Sequence, residues 1–313
     1  MFRKFLIIFW ASIFCIESVA ATAPIISLNK FEDIISLITR SGDPKRTLLV
    51  MDNDDTLTMM PCSDPTKPYA CQYLGGPAWF DWQTSLLNSP SAGVGGRTFR
   101  VADSQSQLID IASTLMTLNY MEFTDVKINA VLTMLSNQGV RFLVATDRGS
   151  NDLSASVMQF NYLKISSQTL LSFMSRNSLM FGGIASLPSP FYPCGDRSMR
   201  PVSYSQGTLY GAGQDKGVLL SCLLHQYDTH QPGGIASIYF LDDALKNVKD
   251  VQKKFQDSKA YTVTPIHYTK LENHKRALTS GDKRHVFQKQ ARDRWDAIKS
   301  VLQQQLIKPS LGQ

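Results

Sequence analysis

Short apolar runs that end abruptly in polar residues recur along this chain. Three of them, at 48–51, 140–145 and 235–241, show no helical periodicity and have the length of strands. Runs that are apolar at nearly every position are typical of strands covered on both faces in a parallel sheet. The pattern therefore predicts three buried strands, and a further short strand is predicted at 261–266.

Segments with apolar residues at every third or fourth position lie between these strands and predict helices. The predicted helices cover 31–39, 78–87, 108–118, 124–137, 150–174, an apolar stretch after 216, 248–255 and a long polar stretch after 282. Segments 178–187 and 201–212 are predicted to form the two arms of a β-hairpin. Strands that alternate with helices indicate an α/β fold with a central, mainly parallel sheet.

One irregular segment, at 58–104, interrupts this alternation. It is rich in proline, glycine and aromatic residues, and only 78–87 has the pattern of a helix. Irregular segments of this length are usually functional in compact domains. We interpret it as an insert in the α/β core, and the alternative is a surface excursion whose aromatic side chains pack on that core.

The first twenty residues have the pattern of a secretory signal. Arg3 and Lys4 precede an apolar run at 5–16, and small residues follow at 18–20. This order is typical of a signal peptide, and the run is shorter than the ~20 residues that a membrane span needs. We expect a signal peptide at 1–20 and a periplasmic or secreted protein without a stable membrane anchor after cleavage. The alternative is an uncleaved anchor.

Charge and cysteine content add to this picture. The net charge of +6 is spread along the chain, and acidic residues interrupt its one dense basic stretch, at 270–294, so we expect no nucleic-acid partner. The mature chain would keep four cysteines, which permit three full disulfide pairings. Cys62 and Cys71 are the best candidates for a pair, whereas Cys222 lies in an apolar run and is predicted to be a buried thiol.

Residues that suit phosphate chemistry follow the predicted strands. The candidate residues are Asp52 and Asp54 after the first strand, Thr146 after the second, Asp242 and Asp243 after the third, and Lys216 at the start of a helix. Asp55 and Thr56 follow Asp54 directly, and Asp55 is not assigned a role. Two carboxylates about 4 Å apart repel each other by about 4 kcal/mol at an effective dielectric constant near 20. A divalent cation removes that cost, and Mg²⁺ prefers carboxylate oxygens.

This set of motifs resembles that of the haloacid dehalogenase (HAD) superfamily of phosphatases. The acids Asp52 and Asp54 are similar to its first motif, Thr146 to its second, Lys216 to its third, and Asp242 with Asp243 to its fourth. With the secretion signal, the order looks most like an exported bacterial branch of that superfamily. The resemblance implies a HAD-like Rossmannoid core at 21–57 and 105–313, with a C-terminal extension, and a small cap insert at 58–104.

The resemblance also implies a mechanism. Asp52 would attack phosphorus and form an aspartyl phosphate, and Asp54 would act as general acid and then as general base. Mg²⁺ would bind Asp52, the Asp54 backbone carbonyl and Asp242, with Asp243 as a further ligand through water or as a clamp on Lys216. Thr146 and Lys216 would hold the transferring oxygens of a small phosphorylated substrate.

Two alternatives to a phosphatase remain: a phosphomutase, and an exported interaction or effector protein that uses the fold as a scaffold. We expect the insert to select the substrate through five residues: Tyr73, Trp79, Trp82, Arg97 and Arg100. Their aromatic faces would hold the leaving group and their guanidinium groups a second anion. The alternative is that the aromatic residues anchor the insert. Arg148 could reach the phosphate or pair with Asp147, and we favour the pair. The five histidines are interpreted as structural or surface residues.

Overall fold

The computed structural model describes residues 23–40, 42–64, 66–89 and 99–305. The predicted signal peptide lies outside the described residues. The fold is α/β, with a central sheet of seven strands that is mostly parallel and is flanked by helices, as the sequence pattern predicts.

The strands and helices follow in chain order. The strands are β1 (Ile26–Leu28), β2 (Thr47–Met51), β3 (Thr58–Met59), β4 (Glu122–Phe123), β5 (Arg141–Thr146), β6 (Lys164–Ile165), β7 (Gln168–Thr169), β8 (Ser203–Ser205), β9 (Thr208–Tyr210), β10 (Ser237–Asp242) and β11 (Thr262–Tyr268). The helices are α1 (Ile34–Arg40), α2 (Pro77–Asn88), α3 (Gln105–Leu118), α4 (Ile128–Asn137), α5 (Leu153–Tyr162), α6 (Leu170–Asn177), α7 (Lys216–His230), α8 (Leu245–Phe255), α9 (Glu272–Thr279) and α10 (Arg284–Gln305).

The central strands are covered on both faces. In β2, Leu49 and Met51 pack with α1, α4 and α6, whereas Leu48 and Val50 pack with α7 and α8. Because successive side chains of a strand point to opposite faces, a strand covered by helices on both sides must be apolar at every position. This explains why the runs predicted as strands show no alternation.

The sheet order places a topological switch point beside β2. The order is β1-β11-β10-β2-β5-β9-β8, and only the pair β8 and β9 is antiparallel. From β2 the chain proceeds to β5 and β9 on one side, and then returns to β10 on the other side. In open α/β sheets, ligands bind at the carboxyl ends of the strands where the order reverses. The fold therefore predicts a site between the ends of β2 and β10.

Two predicted elements are wrong. The helix predicted at 150–174 is broken by the β6–β7 hairpin, where Ser166 has a φ of 52° and the Asn129 side chain donates to the Lys164 carbonyl and accepts from the Ser166 amide. Among the described residues, 178–187 contains no strand. The hairpin is local to 203–210 instead, because Gln206 and Gly207 both have positive φ, as a two-residue type I′ turn requires.

The insert packs in a third apolar cluster together with the C-terminal extension. Helix α9 lies against α2 and α10, and Trp79, Leu108, Leu278 and Phe287 meet in this cluster. Helix α3, which the sequence assigns to the core, contributes Leu108 and two further buried residues to it. The extension is therefore a brace on the insert.

Two disulfides are present among the described residues. Cys62 is bonded to Cys71, as predicted. Cys194 is bonded to Cys222, so the prediction of a buried thiol at Cys222 is wrong. The apolar run around Cys222 forms α7, and the loop that carries Cys194 folds back against this helix. Sequence reasoning missed the pair because 28 positions separate the two cysteines.

His274 lies where the C-terminal extension packs on the insert. Its ring stacks on Tyr73 with the ring centroids 4.3 Å apart, and the Tyr73 hydroxyl donates to the His274 carbonyl at 3.0 Å. Burial, with a smaller effect from the positive charge of Lys275, lowers the pKa of His274 to about 4. His274 is therefore uncharged in the folded protein at neutral pH.

Trp82→Ala tests whether the insert is anchored by its aromatic residues. Trp82 is 7% exposed and packs against Phe99, so its removal should lower the free energy of unfolding by about 3–5 kcal/mol. Urea denaturation measures this loss. Tyr69→Ala is the matched control, because Tyr69 belongs to the same insert but is 70% exposed and should cost less than about 0.5 kcal/mol. Equal small losses in both variants would contradict the anchoring role.

The lowered pKa of His274 predicts a pH dependence of stability. Between about pH 6.5 and about pH 4 the unfolded chain binds a proton here that the folded protein does not bind. Stability from this residue is complete above about pH 6.5 and is lost as pH falls toward 4, by about 3 kcal/mol in total. Denaturation of His274→Gln across this range should show that much less acid sensitivity, whereas exposed His285→Gln should follow the parent. Parallel curves for parent and His274→Gln would refute the prediction.

Candidate functional site

Two acids meet at the switch point between β2 and β10. Asp52 directly follows β2 and Asp242 ends β10, and the two strands stay in register up to this point because the Asp52 amide donates to the Leu241 carbonyl at 2.8 Å. Both side chains are buried. The parallel pairing of two apolar strands is therefore what places the two predicted acids next to each other.

Lys216 bridges these two acids from the first residue of α7. Its Nζ donates to Asp52 Oδ1 at 2.5 Å and to Asp242 Oδ2 at 2.8 Å. Asp215 caps the helix, because its side chain accepts from the Val218 amide at 3.0 Å. Burial tends to lower the pKa of Lys216, but attraction by Asp242 and Asp52 raises it well above the usual value. Lys216 is thus a buried cation whose charge the two carboxylates stabilise.

Asp243 is the third acid of the site, and it does not contact Lys216 by any hydrogen bond among the described residues. Its carboxylate accepts from Thr56 Oγ1 at 3.1 Å and from the Lys275 ammonium, and its amide donates back to Thr56 Oγ1 at 3.0 Å. Of the two roles predicted for Asp243, the clamp on Lys216 is therefore wrong, and that of a metal ligand through water stays a prediction. Thr56 and Lys275, a lysine of the C-terminal extension, hold Asp243 instead.

The three carboxylates can share one cation. Asp52, Asp242 and Asp243 each place an oxygen within 4.8 Å of the other two. Burial raises the pKa of Asp242 to about 6 and that of Asp52 well above its usual value, because repulsion among the acids adds to burial and Lys216 offsets only part of it. A bound cation would favour the ionised form of each acid. All the donors are oxygens, which suits a hard ion.

Asp54 turns away from this cluster and pairs with Arg148. Arg148 donates to its carboxylate through Nε at 2.8 Å and through Nη2 at 2.7 Å, while Nη1 donates to Ser156 and Gln159. The prediction that Arg148 pairs with Asp147 is wrong. Asp147 is exposed, whereas Asp54 lies inside the site where the buried guanidinium can bind both of its oxygens.

The remaining motif residues occupy the same edge of the sheet. Thr146 ends β5 and is buried, and its hydroxyl accepts from the Arg148 amide at 3.2 Å. Asp55 has a φ of 63° and is buried, and burial together with repulsion by Asp243 raises its pKa well above the usual value. The turn after β2 therefore directs Asp54 and Asp55 to different neighbours.

The insert residues predicted to bind substrate are differently placed. Tyr73, Trp79 and Trp82 are buried in the cluster shared with the C-terminal extension, and this burial favours the alternative that they are anchors. Arg100 pairs with Asp103 at 2.7 Å, and Arg97 lies outside the described residues. Asp81 of α2 is an insert residue that interacts electrostatically with the site. Desolvation raises its pKa, repulsion by Asp243 and Asp147 adds to this effect, and the attraction of Lys275 opposes it.

Sequence reasoning missed three residues that contact the acids or interact with them electrostatically. Asn247 donates to Asp242 at 3.2 Å, and its position four residues before Val251 on the buried face of α8 was a detectable signal. Asp81 carried no signal, because charged residues are common on helices of an insert. Lys275 carried none either, since it comes from the extension and the motifs contain no information on how that extension folds.

Comparison with known proteins identifies the family of this chain, and the description of that family names no function. Among the described residues, no helix combines the length and apolar character that crossing a membrane requires. No curated protein and no solved structure matches the chain. Residues 27–308 match a protein family that is described as "Protein of unknown function (DUF2608)". The chain therefore belongs to the DUF2608 family.

Proposed function

We propose that this protein is a Mg²⁺-dependent phosphohydrolase of the HAD type, which forms an aspartyl phosphate at Asp52 from a small phosphate ester. The observation that carries the proposal is the group of Asp52, Asp242 and Asp243 around one point, with Lys216 buried against two of them. Phosphoryl transfer needs a nucleophile, a cation site and a fixed positive charge in one place. This site supplies candidates for all three.

Asp52 is the proposed nucleophile. One of its carboxylate oxygens bonds to phosphorus, the bond from phosphorus to the leaving oxygen breaks, and an aspartyl phosphate results. Lys216 donates to Asp52 and orients it, and its positive charge favours the ionised carboxylate against the effect of burial. Thr146 lies at the neighbouring strand end as a hydroxyl donor for a phosphoryl oxygen. Water then attacks the intermediate, which releases inorganic phosphate and restores Asp52.

Mg²⁺ would be held by Asp52, Asp242, Asp243 and the backbone carbonyl of Asp54. When bound, it would supply positive charge that offsets the carboxylates and the phosphoryl oxygens. Asp242 is already oriented for such a role, because it accepts from the Ala244 amide at 2.8 Å and from Asn247. Thr56 and Lys275 orient Asp243 in the same way.

Asp54 is the proposed general acid and base, and Arg148 restricts how it acts. An ionised carboxylate bound through both oxygens by a guanidinium is suited to accept the proton of the attacking water. To donate a proton to a leaving oxygen, Asp54 must first gain one, and its contact with Arg148 must loosen. The leaving group of an aryl phosphate departs as a stable phenolate and does not need that proton. An aryl phosphate is therefore the appropriate first substrate.

The two disulfides support the proposal that the protein is exported. Disulfides persist in oxidising compartments and are rare in the cytosol. Together with the signal pattern at 1–20, they favour a periplasmic or secreted phosphatase.

Asp52→Asn tests the function directly. The variant should lose turnover of an aryl phosphate to the background level, because the amide cannot attack phosphorus, and the parent should require Mg²⁺. Without metal its melting temperature should be no lower than that of the parent, since a buried carboxylate with a raised pKa is removed. Exposed Asp103→Asn is the matched control and should retain activity. Full turnover by Asp52→Asn would overturn the proposal.

Arg148→Met tests the role of the guanidinium that holds Asp54. The change removes one partner of a buried ion pair and leaves Asp54, Ser156 and Gln159 without their donor, so unfolding should become easier by about 3 kcal/mol. Chemical denaturation measures the loss. Exposed Arg176→Met serves as the control, with an expected change within about 0.5 kcal/mol. If Arg148→Met also loses no more than about 0.5 kcal/mol of unfolding free energy, the ion pair does not stabilise the position of Asp54.

A further inference from the structure

A second group of metal-binding side chains lies away from the acidic site, where the insert meets the extension. The Sγ atoms of Cys62 and Cys71 and a ring nitrogen of His274 all lie within 4.8 Å of one another. Each of the three residues is more than nine-tenths buried. Two sulfurs and an imidazole differ from the all-oxygen donors of the acidic site, and they suit a thiophilic cation.

The imidazole of His274 has a buried nitrogen that is free to bind a ligand. Its Nδ1 is buried and has no hydrogen-bond partner among the described residues. Buried imidazole nitrogens normally have a partner, and those that bind metals are held in place by their surroundings. Here Tyr73 fixes the ring by stacking at an interplanar angle of 13° and fixes the backbone through its hydroxyl. The imidazole is therefore held rigidly beside the two sulfurs without a hydrogen bond at Nδ1.

We propose that Cys62, Cys71 and His274 form a second metal site, which binds Zn²⁺ when the Cys62–Cys71 disulfide is reduced. Three protein ligands with two thiolates and one imidazole are a known Zn²⁺ donor set, with a fourth position left for another ligand. The disulfide and the metal are alternative states of one buried site. This proposal does not depend on the proposed phosphatase activity.

The chemistry balances with a thiol reductant. Two molecules of a thiol RSH reduce the disulfide to two cysteine thiols and are oxidised to RSSR, with two electrons transferred to the protein sulfurs. Zn²⁺ then replaces the two thiol protons, which pass to solvent, and it accepts the imidazole lone pair. In the reverse direction, RSSR takes two electrons from the two cysteine sulfurs and two protons from solvent and returns to two RSH, while Zn²⁺ is released and the Cys62–Cys71 disulfide re-forms.

Co²⁺ tests the site because sulfur ligands give it a distinctive spectrum. The reduced, full-length protein under anaerobic conditions should bind one Co²⁺ with a sulfur-to-cobalt charge-transfer band, and the oxidised protein should show no such band. Co²⁺ bound at the all-oxygen acidic site cannot produce this band. The band should persist in a Cys194→Ala/Cys222→Ala double variant, which excludes the second disulfide as its source. Absence of the band from the reduced parent would overturn the proposal.

His274→Asn tests the imidazole. The dissociation constant of Zn²⁺ for the reduced protein, measured by competition with a chelator, should rise at least tenfold, whereas exposed His285→Asn should leave it unchanged. If His274→Asn does not fold, X-ray absorption of the reduced parent loaded with Zn²⁺ decides: two sulfurs at about 2.3 Å and an imidazole nitrogen at about 2.0–2.1 Å are expected. A zinc shell without imidazole, or unchanged affinity in His274→Asn, would refute the site.

Discussion

Repulsion among buried carboxylates is the constraint on which the rest of the site depends. The register of β2 with β10 forces Asp52 and Asp242 side by side, at a cost of about 4 kcal/mol for charges 4 Å apart at an effective dielectric constant near 20. Lys216 offsets part of that cost, and it can do so only because α7 begins at this point and Asp215 caps it. The sheet order and the start of α7 thus together determine the ionisation of the acids.

The same constraint explains why the C-terminal extension reaches into the site. Asp243 follows Asp242 in the chain, so a third carboxylate arrives whether or not the core has a cation for it. Lys216 is already shared by two acids, and Lys275 of α9 provides the positive charge that Asp243 needs. Thr56 adds a hydroxyl that both donates to Asp243 and accepts from its amide. Without α9, Asp243 would lose its only ion pair among the described residues.

The parts of the fold and site that the sequence predicts are those encoded by local patterns. The strands around Asp52, Thr146 and Asp242 follow from runs that are apolar at nearly every position, and the acids follow from where those runs end. The β6–β7 hairpin could not be predicted, because polar and apolar residues alternate irregularly across 150–174 and serine is not a strong sequence signal for the positive φ observed at Ser166. Gln206-Gly207 did carry such a signal, since glycine at the second position of a two-residue turn is typical of hairpins.

The residues that could not be predicted are partners brought together by packing. Arg148 stands out in the sequence, but it pairs with Asp54 and not with the adjacent Asp147 because its buried guanidinium also donates to Ser156 and Gln159 of α5. The pairing of Cys194 with Cys222 depends on a loop that no periodic pattern describes. Long-range partners of this kind are chosen by the tertiary structure, so a single sequence contains the residues but not the pairs.

Helix α9 connects the acidic site with the group formed by Cys62, Cys71 and His274. Successive residues of an α-helix point about 100° apart, so neighbours in sequence can contact different parts of the molecule. His274 faces Tyr73 and the Cys62–Cys71 pair, while Lys275 faces Asp243 at the acidic site. Any shift of α9 that changes the position of His274 must also change that of Lys275, because one rigid backbone carries both. The packing of the extension on the insert therefore fixes the partner of Asp243, and the apolar cluster around Trp79 is a structural requirement of the acidic site as well as of the fold.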